Sequence, residues 1–342
     1  MASAALSPPR DGPAIVRPPR DSIASWPLQD RVCYWLCWVT GIGLCAVAAA
    51  IVLFMLVKGI AYVRPSLLLH SPAPSLHQTQ SGGFLDPIIG TIVVTAIGTA
   101  IAAPSGIAIG AWLTEYGRPA GLARAVESAI ETVAGVPSIV LALFGLLIFS
   151  QGFLSFLSQG AAEGALGQSF FAAGIVMSTL ALPLIVGATR EGLAALPDRL
   201  REASYALGKT RATTIRHVLL PAIRPSIASG IVLGMGRIIG DTAIVTILLG
   251  VGYKLEPVGH VPILRTLRGA GSTLTTYVYN NSPAGDGNSH EKAYAAAFVL
   301  LVIVLALNAI VTRLTRAERE SDDPRPFSSR FLLKVTRGLW TR

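Results

Sequence analysis

Six apolar stretches of about twenty residues constrain this 342-residue chain more than any other feature. A helix needs about 20 apolar residues to cross the hydrocarbon core of a bilayer. Charged residues make up only 14% of the chain, against about 25% in soluble domains. The sequence therefore predicts an all-α polytopic membrane protein and excludes a disordered or disulfide-stapled secreted chain. The six predicted transmembrane helices are Val32–Val57, Ile88–Leu113, Ala129–Phe149, Phe170–Ala188, Ser226–Gly250 and Ala293–Val311.

The net charge of +9 suggests a nucleic-acid partner until the charges are located. Of the 28 lysines and arginines, 21 fall in the two termini and in the second and fourth loops between predicted spans. Only six fall in the other three loops. Because cytoplasmic segments carry the excess of basic residues, we expect both termini in the cytoplasm, and no nucleic-acid partner.

The two ends of the chain differ in composition from the membrane domain, which we place at residues 32–314. Residues 1–31 hold six prolines among mixed charges and are predicted to be a disordered tail. Residues 315–342 are basic, and either an amphipathic helix on anionic lipid or a solvated tail fits them. The apolar positions of that helix would be Phe331, Leu332, Val335 and Leu339. Cys33, Cys37 and Cys45 lie in the first apolar stretch and are interpreted as small apolar fillers.

The longest predicted cytoplasmic loop, about residues 191–222, has a helix–turn–helix pattern. Pro197 and Asp198 suit the start of a short helix, and Gly208 predicts a turn. A second helix is expected from Thr210 to Leu220, with Pro221 breaking the pattern. The first helix has a face of small and apolar residues, against which another protein could pack.

This loop resembles the signature loop of the permease subunits of ATP-binding-cassette (ABC) importers. The family motif is Glu-Ala-Ala, three residues, Gly, nine residues, then an aliphatic residue, any residue and Leu-Pro. The matching residues here are Glu202, Ala203, Ser204, Gly208, Val218, Leu220 and Pro221, with Ser204 and Val218 as mild departures. The resemblance implies an ABC type I importer permease fold and a coupling helix that docks into a separate ATPase subunit.

The same loop contains a weak match to a nucleotide-binding motif, since Ala203–Thr210 reads A-x-x-x-x-G-K-T. A P-loop needs a preceding strand and a flexible glycine-rich turn. The first glycine is missing and the intervening residues favour a helix. An embedded hydrolase is a further alternative, because His290-Glu291 begins a zinc-protease pattern, but no second histidine follows at the required spacing. We therefore expect no catalytic residue, metal or cofactor in this chain, and ATP use by a partner subunit.

The fifth predicted span contains two charges, Arg237 and Asp241, close to mid-bilayer. A charge there costs about 2.5–3.5 kcal/mol, so neither residue is expected to face lipid. At positions i and i+4 of one helix the two side chains can pair. One interpretation is a pair that locks helix packing. The other is an anion pathway, because guanidinium binds tetrahedral oxyanions in a bidentate fork.

Residues Gly234–Ala243 resemble the Arg-x-x-Gly-Glu-Thr-Ala stretch of phosphate-importer permeases of the Pst type, with Asp241 in place of the usual Glu. Further similarity lies in Gly135–Val140, Ser81–Gly83 and Ala295–Asn308, and together these cover most of residues 82–312. The match is closer to the PstA than to the PstC subunit. It implies a location in a bacterial inner membrane. It also implies a PstC-like second permease, a PstB-like ATPase and a PstS-like extracytoplasmic phosphate-binding protein as partners.

The predicted substrate path consists of Arg237, Asp241, Thr242 and Ser138. Phosphate keeps a proton at neutral pH and sulfate does not, so Asp241 can accept a hydrogen bond from phosphate and repel sulfate. One arginine cannot balance a dianion, and we expect a second cation from the partner permease. Arg190 and Glu191 are candidates for a cytoplasmic gate or for interfacial anchors. Alternatives are a permease for another oxyanion, sulfate or molybdate-like, and a passive channel or scaffold.

Overall fold

A computed structural model describes residues 27–72, 82–151, 154, 167–250, 267, 269–282 and 289–322 of the chain. The chain forms two compact units, one ending at Phe54 and the other starting at Met55. The first helix begins at Leu28, so the last four residues of the predicted N-terminal tail are helical. Residues 1–26 of that tail and the predicted C-terminal amphipathic helix lie outside the described residues and stay predictions.

Every regular element in the described ranges is helical, in agreement with the predicted all-α class. Two π-helical turns, Trp112–Tyr116 and Ile215–Leu219, continue α3 and α8. The α-helices are α1 Leu28–Tyr62, α2 Pro65–Leu69, α3 Leu85–Ala111, α4 Ala120–Gly135, α5 Ser138–Phe149, α6 Phe170–Ala194, α7 Asp198–Ala206, α8 Arg211–Thr214, α9 Leu220–Ala222, α10 Arg224–Gly240, α11 Ala243–Leu248, α12 Leu274–Asn281 and α13 His290–Asp322.

Four described helices are long and apolar enough to cross a membrane, or up to six spans if two bent helix pairs each count as one. The predicted third span, Ala129–Phe149, is not one straight helix, because α4 and α5 meet at an angle of 108°. The break lies at Val136–Pro137, where proline disfavours the helical conformation of the residue before it. By contrast, Pro104 and Pro183 lie inside continuous helices.

The predicted fifth span, Ser226–Gly250, is also wrong as a single helix. Helix α10 ends at Gly240, and Asp241 has extended backbone angles of φ −83° and ψ 120°. The Asp241 carboxylate accepts a hydrogen bond of 2.8 Å from the Ile244 backbone N–H and so caps α11. A short acidic side chain offers the backbone this alternative to continuing the helix, which is why the pattern of apolar residues did not show the break.

Helix α6 forms the centre of the second unit and packs against α3 and α10. Small residues allow this close approach. A Cβ added at Gly106 of α3 would lie 2.8 Å from Ile185 Cγ2 of α6, and one added at Gly98 would lie 2.9 Å from Ile238 Cδ1 of α10. Helix α3 therefore touches α10 directly beside Arg237.

Candidate functional site

Arg237 lies in the last turn of α10 and is exposed. Helix α10 packs on α6, where a Cβ added at Gly230 would lie 2.7 Å from Ala188 Cβ. Around Arg237, a Cβ added at Gly236 or Gly240 would meet no atom within 4 Å. The guanidinium is thus exposed beside open space at the C-terminal end of α10.

The predicted ion pair between Arg237 and Asp241 does not form, because the helix ends between them. The ion pairs of the described residues do not include either side chain. Asp241 is 9% exposed, and its hydrogen bond to the Ile244 N–H uses only one carboxylate oxygen, Oδ1. The described residues therefore show no ion pair between these two charges that locks helix packing, and the anion-binding role of Arg237 stays a prediction.

Thr242 and Ser138 lie at the starts of two helices that pack against each other. Thr242 precedes α11, and Ser138 is the first residue of α5 after the break at Pro137. The two helices are in contact at Leu248, whose Cδ1 lies 3.3 Å from a Cβ added at Gly145. Ser138 and Thr242 are both partly exposed. Their role in a substrate path stays a prediction.

The helix–turn–helix predicted for the cytoplasmic loop is present as α7, a turn, and α8 with its extension. Gly208 has φ +74°, a left-handed conformation that suits glycine at the end of a helix. The Thr210 side chain caps α8. The second helix continues without a gap from Arg211 to Ala222, one residue past Pro221. The chain then bends by 72° before α10, so the break expected at Pro221 lies at Ile223.

The motif residues of the loop divide into exposed and buried ones. Glu202 and Ala203 are exposed on α7, and Leu207 after it is 80% exposed. Ser204 is buried, and its hydroxyl lies 2.9 Å from the hydroxyl of Thr214 in α8. This contact explains the serine that replaces the second alanine of the motif, because it joins the two helices of the loop.

An ion pair that the sequence did not predict joins the loop to the end of α3. Glu115 in the first π-turn is only 4% exposed, and its Oε1 accepts from Arg201 Nε at 3.1 Å and Nη2 at 2.8 Å. The other guanidinium hydrogens are donated to Asp198 and to the backbone carbonyls of Leu193 and Leu196. The pKa of Arg201 is raised above its ordinary value, chiefly by the hydrogen bond to Glu115. The only feature of the sequence that pointed to this ion pair was the carboxylate of Glu115 at the end of an apolar segment.

The two candidate gate residues lie beside an open cleft. Arg190 Nη2 is 2.5 Å from Glu127 Oε1 of α4. The side chain of Arg190 is 41% exposed and that of Glu127 is 38% exposed. Arg190 and Glu191 line the cleft, which has a volume of about 370 Å³. Glu127 was missed from the sequence, because the pair joins α6 to a helix that lies 63 residues earlier and nothing in the local pattern connects them.

Comparison with known proteins identifies relatives over about 70% of the chain. The chain is 32% identical over 250 residues to the phosphate transport system permease protein PstA 1 of Mycobacterium tuberculosis, covering 72% of this chain and 75% of that protein. It is 30% identical to the phosphate transport system permease protein PstC of Xylella fastidiosa, covering 69% and 76%. These relatives confirm the resemblance to phosphate permeases.

The fold is that of ABC type I importer permeases. A chain in a crystal structure of a bacterial alginate ABC transporter, in complex with an alginate pentasaccharide-bound periplasmic protein, matches with a TM-score of 0.57 and 16% identity. The match covers 84% of this chain and 95% of that chain. A sequence model of the family described as "Binding-protein-dependent transport system inner membrane component" matches residues 106–320. The chain therefore belongs to this family of membrane-integral transporter subunits.

Proposed function

We propose that the chain is one of two permease subunits of an ATP-driven importer of inorganic phosphate. It contributes half of the translocation path and a coupling helix, α7, for a separate ATPase. Both termini lie in the cytoplasm, and an extracytoplasmic binding protein delivers the anion. The phosphate permease names of the relatives support this substrate.

The position of Arg237 carries the proposal. It is the only charge between Arg224 and Asp241 in the sequence, and it has no partner among the described residues. An arginine facing lipid at mid-bilayer costs about 2.5–3.5 kcal/mol. The neighbouring positions Gly236 and Gly240 leave open space on that face. A second permease subunit across this face encloses a polar path, and Arg237 binds the phosphate oxygens there in a bidentate fork.

Asp241 supplies selectivity in this proposal. Its Oδ1 is occupied by the Ile244 N–H, and no described hydrogen bond uses Oδ2. A protonated phosphate can donate a hydrogen bond to Oδ2, whereas a fully ionised sulfate is repelled. The partner subunit provides the second cation that a dianion requires.

The exposed face of α7 docks into the ATPase. Glu202, Ala203 and Leu207 are all exposed there, and Gly208 ends the helix, so a short rigid element protrudes from the loop. Movement of that element drives alternating access. On the cytoplasmic side, the pair Arg190–Glu127 closes the cleft beside Glu191 when the path faces outward, and its half-exposed position lets it open.

Uptake of labelled phosphate by cells with and without this chain tests the proposal. We expect uptake to require the chain and to stop when ATP is depleted. Uptake that survives ATP depletion would support a passive channel instead. Sulfate or molybdate uptake that depends on the chain, without phosphate uptake, would favour the other oxyanion. Purification of the tagged chain should recover an ATPase subunit, which a scaffold or channel does not require.

A further inference from the structure

The buried pair Glu115–Arg201 joins α7 to the π-turn at the end of α3. A carboxylate that is 4% exposed is costly unless it is paired and hydrogen-bonded. Arg201 meets this requirement with five hydrogen bonds, two of them to Glu115, which match the five N–H donors of a guanidinium. A lysine has three donors on one atom and cannot reproduce this arrangement. The pair therefore fixes α7 to the end of α3 in one geometry.

A second contact holds the neighbouring residue of the same π-turn. Arg211, the first residue of α8, lies with its guanidinium carbon 5.2 Å from the centre of the Tyr116 ring. The turn Trp112–Tyr116 is thus held by one arginine from each helix of the coupling loop. Ser204 and Thr214 join those two helices to each other. The loop and the end of α3 form one unit, and π-helical turns often occur at functional positions.

Helix α3 extends from this turn to the neighbourhood of the substrate path. From Glu115 back to Gly98 is seventeen residues, or about 26 Å along a helix. A Cβ added at Gly98 would lie 2.9 Å from Ile238 Cδ1, so α3 touches the residue next to Arg237. A displacement of α7 that moves α3 therefore reaches α10 through direct packing.

We propose that the turn Trp112–Tyr116, held by Arg201 and Arg211, is the link through which the coupling loop moves α3 and thereby the substrate path. Glu115 and Arg201 are positioning residues for transport. This inference rests on the proposed function, since it needs a coupled ATPase and a transported anion.

The test uses the complete importer, purified through a tag on this chain and reconstituted in liposomes. Phosphate uptake and ATP hydrolysis are measured together for Arg201→Lys and Glu115→Gln, with Arg313→Lys as the matched control. Arg313 is an exposed arginine of α13, outside the coupling loop and the proposed substrate path. We expect the control to be normal. The two pair variants should still hydrolyse ATP, but the phosphate imported per ATP should fall about tenfold. Coupling between two sites typically changes affinity by about 5- to 150-fold.

The outcomes separate the inference from a purely structural role. A structural role alone lowers the amount of assembled complex and leaves phosphate imported per ATP unchanged, which would overturn the inference. If both pair variants are lost from the membrane, Arg211→Gln decides, because Arg211 and Tyr116 are exposed. Reduced import per ATP in that variant supports the link, and an unchanged ratio refutes it. A wild-type complex that lacks an ATPase or imports no phosphate shows instead that the proposed function is wrong.

Discussion

The substitution Arg237→Gln separates transport from stability more cleanly than any other change. Arg237 is exposed and has no partner among the described residues, so no buried contact is lost when its charge is removed. Exposed substitutions away from special features usually change stability by about 0.5 kcal/mol or less. We therefore expect the variant to reach the membrane in normal amounts.

Transport should respond very differently. A hydrogen bond to a charged group contributes about 1.5–3 kcal/mol. The substitution removes this contribution of the Arg237 guanidinium to binding of the transported anion. At about 1.4 kcal/mol for each factor of ten, phosphate uptake should fall about 10- to 150-fold. By contrast, Arg201→Gln should destabilise the protein. It leaves the buried Glu115 unpaired, which costs about 3–5 kcal/mol, and we expect less of the chain in the membrane.

Initial rates of labelled-phosphate uptake, divided by the amount of chain in the membrane, measure this effect. Arg313→Gln is the control, since it removes an exposed arginine of α13 that lies outside both the coupling loop and the proposed path. Arg237→Gln cells that contain normal amounts of the chain and import phosphate at the full rate would refute the anion-binding role.

Three further substitutions test other parts of the structure. Asp241→Asn keeps a helix cap, because asparagine caps as well as aspartate, but should reduce discrimination between phosphate and sulfate. Uptake assays with both anions check this, and unchanged discrimination would contradict the role of Asp241. Glu202→Lys, at an exposed position, should insert normally but uncouple ATP hydrolysis from uptake, and normal transport would remove the coupling assignment. Gly106→Val should lower the free energy of unfolding by about 1–3 kcal/mol, because its Cβ would lie 2.8 Å from Ile185 Cγ2, whereas Gly187→Ala in open space should not. Thermal unfolding of the purified variants measures the difference.

Local sequence patterns were sufficient to predict the helices and the turn of the coupling loop. Asp198, Gly208 and Thr210 each act through hydrogen bonds or backbone angles within a few residues, and each was placed correctly from the sequence. The break expected at Pro221 lies two residues later, at Ile223, where the chain bends by 72° before α10.

The charged pair of the fifth span shows where periodicity fails. Hydrophobicity continues through Ser226–Gly250, and it does not change where the backbone leaves the helix at Asp241. Spacing alone put Arg237 and Asp241 on one face. The carboxylate instead accepts a hydrogen bond from the Ile244 N–H, and this local bond competes with continuation of the helix.

The sequence by itself determined the membrane environment, the approximate positions of the apolar segments and the family motif of the loop. These depend on the cost of exposing charges to lipid and on contacts between near neighbours. The tertiary structure decided which side of α10 leaves Arg237 open, and it paired Glu115 with Arg201 across 86 residues. Such contacts form only when helices that are distant in sequence pack together. The sequence around a buried charge therefore does not show which residue of another helix will pair with it.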